Sequence, residues 1–158
     1  MKIIETSRTY LREYVAEDAG CLARILSDAH AMAYAPMAPT SDISVADGFI
    51  EWHFKNYAAH GFSAGQAGLL QQEHDVELFF SFLPEYWGRG LATEVALACR
   101  DHAFKILGLR RLISIIHPQN RAAVAVAAKV GMNRVGSLRL WERDNDLYQV
   151  QRIGLTRR

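Results

Sequence analysis

LPEYWGRGLATE, residues 83–94, decides how the rest of this chain is read. It follows the apolar run VELFFSF (76–82) and opens a segment with helical spacing. A strand that ends in a turn holding Gly88 and Gly90 and then enters a helix leaves several backbone N–H groups without intrahelical partners. Those donors, with the positive end of the helix dipole, suit an anion. Glycine lets a phosphate approach the backbone because no side chain intervenes. The other reading of the same residues is a tight turn rich in glycine for its own sake.

Two nucleotide motifs fail here. A P-loop needs GxxxxGK[ST], and no lysine follows Gly90 at the required place. The dinucleotide fingerprint GxGxxG is nearly met by Gly88, Gly90 and Thr93, but its third glycine is missing. GLRRLISIIHPQN (108–120) also lacks the acidic residue that should close the βαβ unit.

The remainder of the chain bounds the possibilities. A length of 158 residues fits one domain spanning 1–158, large enough to bury a core. Lys plus Arg is 18 against 17 for Asp plus Glu, so no strong field points to nucleic acid or a membrane surface. Neither is an expected partner. Cys21 and Cys99 both sit in apolar helical patterns and read as buried thiols in a reducing compartment. The opening MKIIETSRTYLREY has no signal-peptide pattern, and no apolar run is long enough to span a bilayer. A cytoplasmic protein with no metal site is the expectation.

Walking the chain, RTYLREY (8–14) reads as a short strand. AEDAGCLARILSD (16–28) reads as a helix with Cys21, Leu22, Ile25 and Leu26 on one face. MAPTSDIS (37–44) is a connector in which Ser44 caps a second helix, with Asp47 three residues on. Phe49, Trp52, His53 and Tyr57 stripe that helix, and Gly61 ends it. FSAGQAGLL (62–70) and VELFFSF are strands joined by the polar turn QQEHD. A third helix is expected over 93–107 and a strand over RLISIIH (111–117). Asn120 caps an alanine-rich helix over 121–130 that stops at Gly131. Strands 133–142 and 146–154 flank the turn RDND (143–146). The sum is a mixed α/β sheet of about six strands with about four helices.

VELFFSFLPEYWGRGLATE followed by HPQNRAAVAVAAKVGM (117–132) resembles the acetyl-CoA-binding core of the GNAT N-acetyltransferases. The similarity extends back to TSRTYLREYVAEDAGCLARILSD (6–28). It is greatest to the branch holding the ribosomal-protein-alanine acetyltransferases and the diamine or aminoglycoside acetyltransferases. The resemblance implies a GNAT fold with a V-shaped splay between two parallel central strands. It implies a CoA pyrophosphate held on backbone amides of Gly88, Arg89, Gly90, Leu91, Ala92 and Thr93. Trp87 then takes a Gln/Arg position of the family pattern and reads as packing. The Arg89 side chain either faces the phosphates or is solvated. Backbone groups of Ser81, Phe82 and Leu83 would hold pantetheine and polarise the thioester. Asn120 would touch CoA as well as, or instead of, capping its helix.

Transfer of an acetyl group from acetyl-CoA to a primary amine needs a neutral nucleophile, an oriented carbonyl and an outlet for a proton. Glu77 lies on an otherwise apolar strand, where desolvation would lift a carboxyl toward a base's working range. It also matches the acidic position that many GNAT enzymes use. A strand-edge carboxylate in a salt bridge is the competing account. His117, before Pro118, reads as a structural or solvated loop histidine.

Three features depart from the family pattern. Ala123 stands where this branch often has serine, and Ala127 where other branches place a tyrosine acid. A hairpin normally found between the second helix and GQAGLL is shortened, leaving room for one strand. These departures keep open a non-catalytic acyl-CoA-binding module beside the leading reading, an N-acetyltransferase working by direct attack in a ternary complex. The amine could be a peptide N-terminus, a polyamine or another small amine. Tyr34, Met32, Met37, Phe49, Trp52 and His53 are candidate walls of its pocket, although most of these aromatics read as core. Asp42, Asp47 and Glu51 are candidate attractors of a cation. A homodimer is possible.

Overall fold

A computed structural model describes residues 2–60 and 67–153. Gly61, expected to end the second helix, lies outside the described residues, as do the first residues of the expected strand 62–70. The order of elements is β1 (Lys2–Glu5), β2 (Tyr10–Arg12), α1 (Ala19–Ser27), α2 (Ile43–His60), β3 (Ala67–Gln71) and β4 (Val76–Phe80). Then follow α3 (Leu91–Lys105), β5 (Arg111–Ile116), α4 (Arg121–Val130), β6 (Asn133–Leu140) and β7 (Arg143–Gln151). Short 3-10 turns at Ala16–Asp18 and Pro84–Tyr86 precede α1 and α3.

Five strands form one sheet in the order β3-β4-β5-β7-β6, and β1 pairs β2 in a separate ribbon. Only β4 and β5 run parallel; the other pairs of the sheet are antiparallel. This is the mixed α/β architecture expected from the alternation of strands and helices. No strand is described between α2 and β3. Among the described residues, no strand of the ribbon pairs with a strand of the sheet.

Two hydrophobic cores follow from the patterns. Leu78, Leu112, Ile116 and Tyr148 of the sheet pack with Val95, Ala96, Cys99 and Ala103 of α3 and Ala127 and Val130 of α4. Small residues on α3 and α4 let both helices lie close to the sheet. Leu22 and Leu26 of α1 pack separately with Met32, Ala46 and Ile50. β1 carries no turn signal of the glycine or proline kind. The turn after it is made instead by two threonines, with Thr6 N donating to Thr9 O at 2.8 Å and Thr9 N to Thr6 Oγ1 at 2.9 Å.

Several local expectations are corrected. Asp42, not Ser44, caps α2: its Oδ1 accepts from both the amide (2.9 Å) and the hydroxyl (2.7 Å) of Ser44. The buried stripe of α2 is Ala46, Ile50 and His53, while Phe49 and Trp52 are exposed, so the helix is turned by about one residue from the aromatic stripe. Cys21 is exposed, because α1 buries Ala19, Leu22 and Leu26; Cys99 is buried, and burial pushes its thiol up to about 12. α3 starts at Leu91, two residues earlier than its apolar spacing indicated, since Gly90 serves as its N-cap.

The last turn is not RDND. β6 pairs Leu140 with Arg143 of β7, leaving Trp141 and Glu142 alone at the tip with φ of 53° and 61°. Two central residues at positive φ match the twist of the hairpin, but side chains pay a steric cost there. Glu142→Gly is expected to stabilise the fold by about 0.5–1 kcal/mol. Urea midpoints at fixed m-value test this, and an unchanged or lower midpoint would show the turn unstrained.

Candidate active site

β4 and β5 meet at a single register pair, Glu77 with Ile113. The reason is visible in the side chains. Ser114 Oγ donates to the carbonyl of Leu78 at 2.8 Å. An acceptor that would have extended the parallel ladder is thereby taken by a side chain, and the two strands part. β4 continues as Ser81, Phe82 and Leu83, which have no strand partner among the described residues. Among the described residues, the N–H groups of these three find no acceptor. The carbonyl of Phe82 accepts from Trp87 Nε1 at 2.6 Å and that of Leu83 from Tyr86 N at 2.9 Å. Trp87 is half exposed and acts through this bond, so it braces the turn rather than filling a core.

The turn after Leu83 uses its glycines for backbone geometry. Gly88 (φ 68°) and Gly90 (φ 75°) are both left-handed, a conformation that costs other residues. Gly90 is the N-cap of α3 and offers no side-chain cap. Among the described residues, the consecutive N–H groups of Gly88, Arg89, Gly90, Leu91, Ala92 and Thr93 have no protein acceptor. Donors of this kind at the positive end of a 15-residue helix suit an anion.

Glu77 is only 5% exposed. Burial lifts its carboxyl above the ordinary range, opposed by hydrogen bonds from Gln72 and from the Ile115 amide. Gln72 Nε2 donates to Glu77 Oε2 at 2.6 Å. Sequence reading passed over Gln72 as part of a polar turn. Its role depends on the β3–β4 register, which pairs Gln71 with Val76 and brings Gln72 beside Glu77. Among the described residues no charged partner offsets the burial, which argues against the salt-bridged reading of Glu77.

Other expected residues fall around the mouth of the V. Asn120 caps α4, its Oδ1 accepting from Ala123 N at 3.1 Å, which leaves the amide –NH2 of the same side chain able to donate elsewhere. His117 stacks on Tyr34 with ring centroids 5.1 Å apart, and its Nδ1 accepts from Gln119 N at 3.2 Å. Arg143 donates to the carbonyls of Tyr34 and Ala35. These contacts tie the connector between α1 and α2 to the end of β5 and to the β6–β7 hairpin. Phe79, on the strand face shared with Glu77, is exposed, as are Phe49, Trp52 and Tyr34. Exposed aromatics here are available as walls, contrary to their reading as core. Tyr148 is buried among core residues facing α3 and α4.

A cavity of about 440 Å³ opens between β2, β3, α1, α2 and α3. Its lining includes Phe82 but neither Glu77 nor any of residues 88–93, so it meets the candidate site only at the strand after β4. Among the described residues no group of His, Cys, Asp and Glu could hold a metal ion, and no helix is long and apolar enough to cross a membrane.

The family whose sequence pattern is described as "Acetyltransferase (GNAT) domain" matches residues 8–133. The chain belongs to the GNAT acetyltransferases. A GNAT-family acetyltransferase from Bacillus anthracis superposes with a TM-score of 0.80 at 23% identity, covering 94% of this chain and 97% of that one. Mycobacterium smegmatis RimJ, solved in complex with CoA-disulfide, superposes with a TM-score of 0.76 at 22% identity over 92% and 83% of the two chains. Spermidine N(1)-acetyltransferase of Escherichia coli K12 is 33% identical over 81 residues, 49% of this chain and 44% of that protein. The two structural likenesses establish the GNAT fold.

This GNAT chain also buries an imidazole outside the V. His53 is 6% exposed, and burial pushes its pKa from 6.5 down to about 4. A depressed folded value means that the neutral form folds best. Its contribution is therefore complete above pH 6.5 and is lost as pH falls through about 4. Between pH 7.5 and 4.5, urea midpoints should fall more steeply for the parent chain than for His53→Phe. Parallel profiles would remove His53 as a source of acid sensitivity.

Proposed function

We propose that this chain is an acetyl-CoA-dependent N-acetyltransferase acting on a primary amine by direct attack in a ternary complex. One observation carries the reading: the parted strand and the glycine turn offer two consecutive sets of amides, 81–83 and 88–93, that find no acceptor among the described residues. The second set, with the helix dipole, suits the doubly charged diphosphate of CoA, and the Arg89 side chain is exposed beside it. The first set lies where an extended pantetheine arm can complete the broken sheet by hydrogen-bonding to backbone. Asn120 can donate its free amide to the cofactor from the opposite arm of the V. The Escherichia coli relative is a spermidine acetyltransferase, and the RimJ structure of the same fold holds CoA-disulfide.

In the reaction, the amine lone pair attacks the thioester carbonyl carbon. Amides at Ser81, Phe82 and Leu83 are the donors available to the oxyanion. The C–S bond then breaks, and the thiolate takes up a proton from solvent or from the reacting nitrogen. Glu77 is the base that relieves the incoming ammonium of its proton. Its position at the vertex puts the carboxyl at the point where both strands diverge, and its raised pKa is what a base near neutrality requires. The acceptor enters between the connector and the β6–β7 hairpin, past Tyr34, Phe79 and the exposed aromatic side of α2. The identity to a spermidine acetyltransferase makes polyamines the first amines to test, alongside peptide N-termini.

Release of CoA thiol from acetyl-CoA with a panel of polyamines and N-terminal peptides tests the whole reading. Binding of acetyl-CoA, seen as a rise in melting temperature, with no thiol release for any amine would instead establish the non-catalytic acyl-CoA-binding module.

Glu77→Gln should lower kcat by roughly 10²–10⁴-fold with acetyl-CoA affinity retained. The acidic limb of kcat/KM, which rises with pH as Glu77 ionises, should vanish in that variant. Gln72→Leu removes a bond that favours the charged carboxylate, so the limb should move to higher pH. A limb that stays put in both variants removes Glu77 from the chemistry.

A further inference from the structure

Residues 6–9, between β1 and β2, reach across to the cofactor turn. The paired threonines make this turn rigid, with Thr6 Oγ1 2.7 Å from Thr9 Oγ1 and donating to Thr9 O at 2.9 Å. It presents Ser7 and Arg8 to Glu94, the fourth residue of α3. Glu94 Oε1 accepts from Arg8 N at 3.0 Å and Ser7 Oγ at 3.2 Å. Its Oε2 accepts from Arg8 Nε at 2.6 Å and lies 2.6 Å from Arg8 Nη2. The remaining nitrogen, Arg8 Nη1, donates to the carbonyl of Arg89 at 2.8 Å. Every nitrogen of the guanidinium is thus committed, two to a carboxylate and one to the backbone of the turn.

That last bond bears on the amide behind it. In a planar trans peptide the carbonyl of Arg89 and the N–H of Gly90 point in opposite directions. Fixing one fixes the other. The turn needs such help, because Gly88 and Gly90 are its softest residues and flank the peptide in question. The guanidinium runs alongside Gly90, where a Cβ would stand 3.6 Å from Arg8 Nη2.

We propose that Arg8 is a positioning residue for the diphosphate-binding turn: it bridges the Glu94 carboxylate and the Arg89 carbonyl, and so aims the Gly90 amide at the bound anion. The inference rests on the reading of residues 88–93 as the cofactor's diphosphate site. Arg8 does not itself meet the phosphates; it pulls from the far side of the peptide plane. It also neutralises a carboxylate placed one turn from where a polyanion must sit. Glu94 is ionised throughout the working range, its pKa brought down to about 2 by hydrogen bonds from Thr6 and then Arg8, so the bridge persists at any pH used for assay. Because the Arg8 side chain is half exposed, the pair adds little to global stability, and its effect is concentrated on the turn. Arginine is required for the geometry, since a lysine ammonium cannot hold a carboxylate edge and a carbonyl in one rigid fork.

The test is calorimetric titration of CoA into the full chain, its Arg8→Met and Arg8→Lys variants, and Arg8→Met/Glu94→Gln. Acetyl-pantetheine, which lacks the diphosphate, is the control probe, delivered as a substrate in the thiol-release assay. Arg8→Met should weaken CoA binding about 10-fold or more and raise KM for acetyl-CoA in proportion. The kcat/KM for acetyl-pantetheine and KM for the amine should change less than about twofold. Arg8→Lys should recover under half of the lost affinity on a logarithmic scale, and Glu94→Gln in the Met background should recover some but not all of it. If Arg8→Met does not fold, Arg8→Gln and Arg8→Lys are read against the same thresholds. A folded variant that binds CoA as tightly as the parent overturns the inference, and so does equal loss for acetyl-CoA and acetyl-pantetheine. A parent chain that binds no CoA removes the diphosphate site itself and the inference with it, a result distinct from unchanged affinity in the variants.

Discussion

The rest of the structure depends on the failure of β4 and β5 to stay paired beyond Glu77. Parallel neighbours in the middle of a sheet ordinarily exchange hydrogen bonds along their whole length. Here the pairing stops after one register pair, and the Leu78 carbonyl, next in line, is claimed by the side chain of Ser114. Unpaired backbone inside a fold is costly unless something else satisfies it. A cleft lined with such groups suits an extended, amide-bearing ligand, and on the proposed reading pantetheine is that ligand.

On the proposed reading, the same vertex gives Glu77 its chemistry. A carboxyl taken out of water at the base of the V is met by the neutral amide of Gln72 and, among the described residues, by no cation. That balance keeps the group able to accept and return a proton. A salt bridge in place of Gln72 would have held the carboxyl charged and weakly basic. Gln72 belongs to the turn of the β3–β4 hairpin, so the geometry of an exterior loop tunes a buried group.

The anion turn shows a similar division of labour. Its glycines permit the left-handed backbone, its helix supplies the dipole, and its rigidity comes from elsewhere. Trp87 holds Phe82, and Arg8 holds Arg89 from a hairpin more than 80 residues away in sequence. The β1–β2 ribbon does not join the main sheet, yet it contributes to the site through this contact. Around the acceptor side, Arg143 and the Tyr34–His117 stack close the connector over the open end of β5.

Much of this was legible in the residues alone. The run from Val76 to Glu94 declares a strand, a left-handed turn and a helix start, because apolar spacing and glycine placement are local properties of the chain. α4 and its Asn120 cap could be read for the same reason. What escaped depended on partners distant in sequence. Which side of α2 is buried was settled by packing against α1, so that Ala46, Ile50 and His53 turned inward and the larger aromatics did not. The tip of the last hairpin moved to Trp141 and Glu142 because strand register outweighed the polar signal of RDND. Gln72 beside Glu77 and Arg8 beside Arg89 have no signature in spacing at all. Propensity and periodicity act over a few residues, whereas hydrogen bonds across a sheet or between two turns exist only once the chain has brought their ends together.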